Sequence, residues 1–304
     1  MERLAVPLPL RVPRVGSVRL VLEAMRPQQW IKNAFVLAGV VFAGKVLDLR
    51  AVGEAMVVTG AFCLASGAAY LVNDARDAET DRHNPRTAGR PVARRALAPE
   101  RALAAGAWAG AGALALAGLI NAWSLLAVAA YLVLQLTYSH ALKHVLFVDV
   151  LAIAAGFVLR VAAGGAAVSV PISWWLLAST CLLATFLALA KRRAEVVALA
   201  GATCPKRRVL ERYSVRLLDP ALDVVTVATL GLYLAYAAAG AHSRLMLLTV
   251  PFVVFGLVRV RQAVHRRPAA TEDPALLVRT DRGLLVCISL WAAFATAIAA
   301  VAGG

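Results

Sequence analysis

Acidic side chains are scarce in this chain. It holds 17 Asp and Glu against 32 Lys and Arg, a net charge of +15, and charged residues of both signs make up only 16% of its 304 positions. Soluble domains average about 25% charged and 45–50% apolar residues, whereas here 61% are hydrophobic and the mean hydropathy is +0.73. A water-soluble globular protein is therefore excluded. Cysteine is sparse as well: Cys63, Cys181, Cys204 and Cys287 lack the spacing of a metal site or a disulfide framework. They read as three packing residues and, at Cys204, a loop thiol. His140 and His144 stand one helical turn apart, but His83, His242 and His265 supply no evident third ligand. There is no glycine-rich phosphate loop, no nucleophile elbow and no internal repeat with a clear period. Residues 1–28 are basic and broken by prolines, unlike a cleavable signal peptide. Residues 1–20 are expected to form a mobile basic arm ahead of one domain at 21–304.

What the chain has in abundance is long apolar runs. Nine approach the roughly 20 residues that cross a bilayer as a helix: about 29–47, 52–73, 102–120, 122–138, 145–164, 171–190, 221–241, 244–260 and 283–302. Backbone groups in lipid must be satisfied within their own segment, so the expected fold class is an all-α integral membrane bundle. The positive charge concentrates in the amino-terminal arm and in the loops after the second, sixth and eighth runs, while the opposite loops carry Lys45, Arg50 and Arg244. That asymmetry places the amino terminus and the basic loops in the cytoplasm and the carboxyl terminus outside a plasma membrane. It also accounts for the basic balance without nucleic acid.

The stretch YLVNDARDAETDRHNPRTAGRP, residues 70–91, gathers charge where the second run stops. On a continuous helix, Asn73, Asp77 and Asp81 fall at about 0°, 40° and 80°, with Asp74 near 100°. Hard oxygen ligands on one face suit Mg2+, which takes one or two carboxylates and completes its shell with water and substrate phosphates. Arg82, Arg86 and Arg90 follow at intervals of four, and guanidinium groups are good phosphate ligands. A metal clamp beside an arginine row is what a diphosphate requires. The plainer alternative is a solvated helix end laced by local pairs such as Arg76 with Glu79.

Two further corners carry charge. Tyr138, Lys143 and Asp149 lead into the fifth run, where Arg160 sits deep among apolar residues and about three turns from Asp149. A membrane-buried arginine is costly and usually faces a partner or a polar chamber, so Arg160 is a functional candidate, with a structural ion pair as the alternative. At the end of the sixth run stand Lys191, Arg192, Arg193 and Glu195. These either line the mouth of the bundle or mark topology, with Lys191 and Glu195 spaced to pair.

The pattern N-D-x-x-D-x-x-x-D at Asn73–Asp81, after Tyr70 and before Arg90–Pro91, resembles the first aspartate motif of the UbiA-type membrane transferases. The resemblance covers roughly residues 20–302 and implies nine transmembrane helices around a cytoplasm-facing cavity. Most members transfer a prenyl group from its diphosphate and carry a second motif, D-x-x-x-D, after the sixth helix. Here Lys191, Arg192 and Glu195 stand in its place. That exchange resembles the decaprenyl-phosphate phosphoribosyltransferase branch, as do RPQQWIKN at 26–33, YSHALK at 138–143, LRVAAGG at 159–165 and DPALLVRTDR at 273–282.

The branch implies transfer of a 5-phosphoribosyl group from 5-phosphoribose 1-diphosphate to polyprenyl phosphate for cell-wall arabinan precursors, with a homotrimer as an available assembly. On that resemblance Asp74, Asp77 and Asp81 are the catalytic candidates and Asn73, Asp77 and Asp81 the Mg2+ ligands. Lys32, Tyr70, Lys143 and Arg160 are expected on the donor, and Lys191, Arg192 and Glu195 on the acceptor phosphate. Asn33, Arg82, Arg86, Arg90 and Tyr138 complete the expected substrate-binding set. The form PRTAGRP at 85–91 is closer to the R-T-x-x-R-P of aromatic prenyltransferases. It leaves open which of Arg86 and Arg90 meets phosphate, and keeps a prenyl donor as the alternative. A transporter or a non-catalytic lipid-binding protein is the alternative of another class.

Overall fold

The computed structural model of the chain describes residues 17–85, 87–199, 208–240, 243–267 and 274–303. Among these every regular element is helical. The long helices are α3 (Leu49–Arg76), α5 (Pro99–Ile120), α6 (Ala122–His140), α7 (Val148–Ala167), α8 (Trp174–Leu199), α10 (Val215–Ala235), α11 (Val250–Arg266) and α13 (Arg282–Gly303). Shorter pieces join them: α1 (Ser17–Ala24), α2 (Ala38–Phe42), α4 (Ala78–Arg82), α9 (Arg208–Arg212) and α12 (Pro274–Thr280). Counting the turns that extend α10 and α11, seven helices among the described residues are long and apolar enough to cross a membrane, and the fully described part of α13, Arg282–Ile298, is apolar but shorter. Polar caps set several boundaries. Asp48 accepts from the amides of Arg50 and Ala51, Asn121 from Ser124, and Asp281 from Leu284, each satisfying an otherwise orphaned helix-start donor.

Two expectations change. Ser17–Leu20, assigned to the arm, belong to α1, whose Leu20 and Ala24 are buried with Leu71, Val92 and Leu97; residues 1–16 lie outside the described residues. The first apolar run is not a continuous α-helix. It is a 3-10 helix, Pro27–Leu37, followed by the single turn of α2. Its entry is set by Arg26, in the left-handed region at φ 54, with Pro27 in the first turn. Three residues per turn place Asn33, Val36 and Gly39 in one row, and all three are buried. At about 2.0 Å per residue for the 3-10 part and 1.5 Å for α2, the segment still rises roughly 30 Å, the thickness of a hydrocarbon core.

That row packs on α7. A Cβ built on Gly164 would lie 1.8 Å from the Val36 carbonyl oxygen, and one on Gly39 would lie 2.4 Å from the Gly164 carbonyl carbon. Small residues at a membrane-helix crossing allow this backbone approach. Helices α3 and α7 are the most enclosed of the seven. One apolar core joins the first segment to α3, α5, α6 and α7, and another joins α7 to α8, α10 and α11. The inner walls of the bundle are thus α3 and α7, and both carry candidate site residues.

Candidate active site at the charged end of the bundle

Helix α3 stops at Arg76, and Asp77 forms the joint to α4. The break redistributes the acidic face. Asp74 and Asp81 are buried, while Asn73 and Asp77 are half-buried. Asp74 Oδ1 accepts from Arg26 Nη2 at 2.5 Å and from Arg90 Nη1 at 3.4 Å; the same Arg90 nitrogen donates to Asp81 Oδ2 at 2.6 Å. Arg26 lies over the Tyr70 ring, 4.5 Å from its centre. Asp77 accepts from Lys143 Nζ at 3.2 Å. Among the described residues no three His, Cys, Asp or Glu side chains converge to cage a metal. In this arrangement Asp81 turns to Arg90, and Asp77 turns to Lys143.

A magnesium ion that takes one or two protein carboxylates and fills its shell from phosphates needs no such cage. Asp74 Oδ2 is buried with no hydrogen-bond partner, and Asp77 keeps a side-chain exposure of 35%. Hard, negatively charged and incompletely satisfied, these oxygens fit such an ion.

The arginine row separates in the same way. Arg90 is drawn onto the carboxylates. Arg82 instead donates through Nε to the Ala93 carbonyl at 3.0 Å and pairs with Glu79, which ties down the loop before α5. Arg76 meets His140 rather than Glu79. Arg86 lies outside the described residues, as does Cys204.

The second corner is closed. Asp149, at 0% exposure, accepts from Arg192 Nε and from the Tyr213 hydroxyl, each at 2.6 Å. Arg192 Nη1 reaches Glu195 at 2.5 Å and Nη2 the Tyr138 hydroxyl at 3.1 Å. Tyr213 also accepts the amide of Phe147, a residue with φ 61. A bulky side chain in the left-handed region is rare, and the tyrosine holds it there. Burial and the Asp149 carboxylate push the Tyr213 phenol well above its ordinary value. Arg192, expected on the acceptor phosphate, is thus engaged at all three nitrogens. Lys191 lies 3.8 Å from Glu195, the spacing-based pair, and keeps 37% exposure. Arg193 is bound to Asp219, to the Val264 carbonyl and to His265.

Deeper along α7, Arg160 is buried. Nε donates to Asn33 Oδ1 at 2.8 Å, Nη1 to the Gly156 carbonyl at 2.8 Å and Nη2 to the Tyr131 hydroxyl at 2.9 Å. Asn33 in turn donates to Cys63 Sγ and Ser66 Oγ. The pairing of Arg160 with an acidic neighbour does not occur among the described residues; Asp149 belongs to Arg192. Lys32, on the 3-10 helix beside Asn33, is half-buried.

Three residues of these clusters escaped the sequence reading. Arg26 stands in the sequence only within the RPQQWIKN stretch, with no role of its own, and Tyr213 carries no sequence signal. Tyr131 had a usable signal, because a hydroxyl in the middle of an apolar span needs a partner.

The sequence pattern of the UbiA prenyltransferase family matches residues 33–285. The chain belongs to that family. Similar chains include a "Decaprenyl-phosphate phosphoribosyltransferase" of Mycolicibacterium smegmatis, 32% identical over 93% of this chain and 93% of that one. One of the same name from Corynebacterium glutamicum is 31% identical over 89% and 83%. Among solved structures, a UbiA homolog from Archaeoglobus fulgidus bound to GPP and Mg2+ superposes with a TM-score of 0.71, covering 92% of this chain and 99% of that one at 18% identity. At that identity the likeness is one of fold.

Proposed function

We propose that this UbiA-family chain transfers the 5-phosphoribosyl group of 5-phosphoribose 1-diphosphate to a polyprenyl phosphate and releases diphosphate. Full-length similarity to proteins bearing the phosphoribosyltransferase name supports the donor and the acceptor class. The observation that carries the reading is the α8 corner. Where the prenyl-transferring pattern has a second pair of aspartates, this chain has Lys191, a sealed Arg192 and Glu195. A donor with a diphosphate and a 5-phosphate, meeting a lipid phosphate, needs added cations rather than added carboxylates.

Asp74 and Asp77, with Asn73 and Asp81 beside them, would hold Mg2+. That ion, when bound, supplies charge neutralisation and Lewis acidity to the leaving diphosphate. Arg26, Arg90 and Lys143 are already poised at those carboxylates and contribute N–H donors to the diphosphate oxygens. Lys32 and Tyr70 are assigned to the donor as well. The bond between the anomeric carbon and the diphosphate oxygen breaks, and its electron pair leaves with diphosphate. The acceptor phosphate oxygen forms the new bond to that carbon. This oxygen is anionic near neutral pH, so no general base is required, in keeping with the absence of a His–carboxylate pair in either corner among the described residues. Lys191 is the cation for the acceptor phosphate, and Arg192 holds Glu195 in place beside it. The basic loops set the site and the amino terminus in the cytoplasm. On this reading the 3-10 segment and α13 join the seven long helices as crossings around a chamber open to that side.

A radiolabelled-donor assay on membranes tests the function. Label from phosphoribose must appear in a lipid-soluble product that requires Mg2+ and polyprenyl phosphate. Transfer from a prenyl diphosphate to an aromatic acceptor, without use of the ribose donor, would replace this reading with the prenyltransferase one.

A further inference from the structure

Arg160 differs from the guanidinium groups at the mouth in how its charge is balanced. Arg26, Arg90, Arg192 and Arg193 each lie against a carboxylate. Arg160 is held by neutral acceptors alone: a side-chain amide, a backbone carbonyl and a phenol. The Tyr131 and Phe62 rings face its Cζ, at 4.5 and 5.5 Å from their centres. A guanidinium has five N–H donors, and these bonds use three nitrogens once each, which leaves two N–H unassigned. Neutral dipoles and ring faces solvate a cation without cancelling it. The full charge therefore stays available to an anion, in a region where an uncompensated charge is costly.

Depth constrains the anion. Ser66, bound to the same Asn33, lies two turns below Asp74 on α3, about 12 Å at 1.5 Å per residue. The Arg160 side chain points back toward the charged end, since Nη1 meets the carbonyl one turn earlier, at Gly156. A donor whose diphosphate sits at Asp74 and Asp77 would present the far end of its sugar toward this level. A hydrocarbon tail in the same place would bury the charge with no partner.

We infer that Arg160 receives a phosphate monoester, the 5-phosphate of the ribosyl donor, and thereby selects a phosphorylated sugar over a prenyl diphosphate. The inference rests on the phosphoribosyl reading and assigns its donor specificity to one residue. The acceptor phosphate has the same chemistry, and the test must separate the two.

Wild type, Arg160→Gln and Arg160→Lys, purified in detergent with Mg2+, are titrated with four ligands: 5-phosphoribose 1-diphosphate, ribose 1-diphosphate, inorganic diphosphate and polyprenyl phosphate. Wild type should bind the first sugar well above the second. Arg160→Gln should weaken the first by about 10- to 100-fold, the scale of a charge-assisted hydrogen bond, and leave the other three unchanged, with Arg160→Lys in between. Equal loss for both sugars would overturn the assignment, as would loss confined to polyprenyl phosphate or no loss at all. If neither variant folds, wild type alone decides, because equal affinity for the two sugars overturns the assignment and a clear preference for the 5-phosphate sustains it. Should wild-type membranes transfer prenyl and not phosphoribosyl groups, the function falls and this inference with it. If they transfer phosphoribosyl groups while the titrations show no role for the 5-phosphate or for Arg160, the inference alone falls.

Discussion

The two charged corners use the same parts and are built to opposite ends. At the joint of α3 and α4, Asp77 keeps one lysine at 3.2 Å and Asp74 leaves an oxygen without a partner. At the α8 corner, both Asp149 oxygens and all three Arg192 nitrogens are already bonded. A carboxylate with an oxygen left unbonded, or held by a single lysine, can take a metal or follow a ligand. One with both oxygens bonded in the interior fixes helices to each other. The distinction lies in how far each group is satisfied, which residue type alone does not report.

The sharpest way to break this contrast is Asp77→Asn, which keeps the shape and removes the charge. Turnover with the ribose donor should fall at least about a thousand-fold, near 4 kcal/mol of transition-state stabilisation, with an unchanged melting profile in detergent. Asp149→Ala should behave the other way. It takes from Arg192 one of its two carboxylates and leaves Nε unpaired in the interior, a change worth about 3 kcal/mol of stability, read as a lowered Tm by a thermal-shift assay, while diphosphate affinity in the cold is retained.

A smaller effect sharpens the same point. Tyr213→Phe removes one donor and one acceptor and should cost about 1–3 kcal/mol. Its pH dependence has a definite sign. The folded phenol keeps its proton above the pH of about 10 at which the unfolded chain loses its own, so the Tyr213 contribution is complete below that pH and is lost as pH rises beyond it. Melting curves above pH 10 should fall less steeply for Tyr213→Phe than for wild type. Least of all, Arg94→Ala removes an exposed pair with Glu23 and should change stability by no more than about 0.5 kcal/mol.

Hydrophobic run length made most of the bundle legible from the sequence, because lipid forces helices wherever apolar residues continue for a span. It failed at residues 29–47, where the run is real but the winding is 3-10. The cause is local to Arg26–Pro27 and to a glycine contact with α7, neither visible in hydropathy. Within the site, the charge cluster at 73–81 is plain in the sequence, but the break at Asp77 that splits its helical face is not. Tertiary partners decided the rest. Arg90 and Arg82 look alike in sequence, yet one meets Asp74 and the other the Ala93 carbonyl. Arg26 and Tyr213 were invisible as site residues because each reaches across tens of positions to its partner.

The contact between Gly39 and Gly164 bears on how such a protein tolerates change. Asn33 and Arg160 sit on the 3-10 helix and α7, the two segments that these glycines bring together, so their 2.8 Å bond inherits its spacing from residues with no side chain. A single added methyl at Gly164 would meet the Val36 carbonyl at 1.8 Å and wedge the segments apart. The bond between Asn33 and Arg160 would then be altered from a position one helical turn away that takes no part in it.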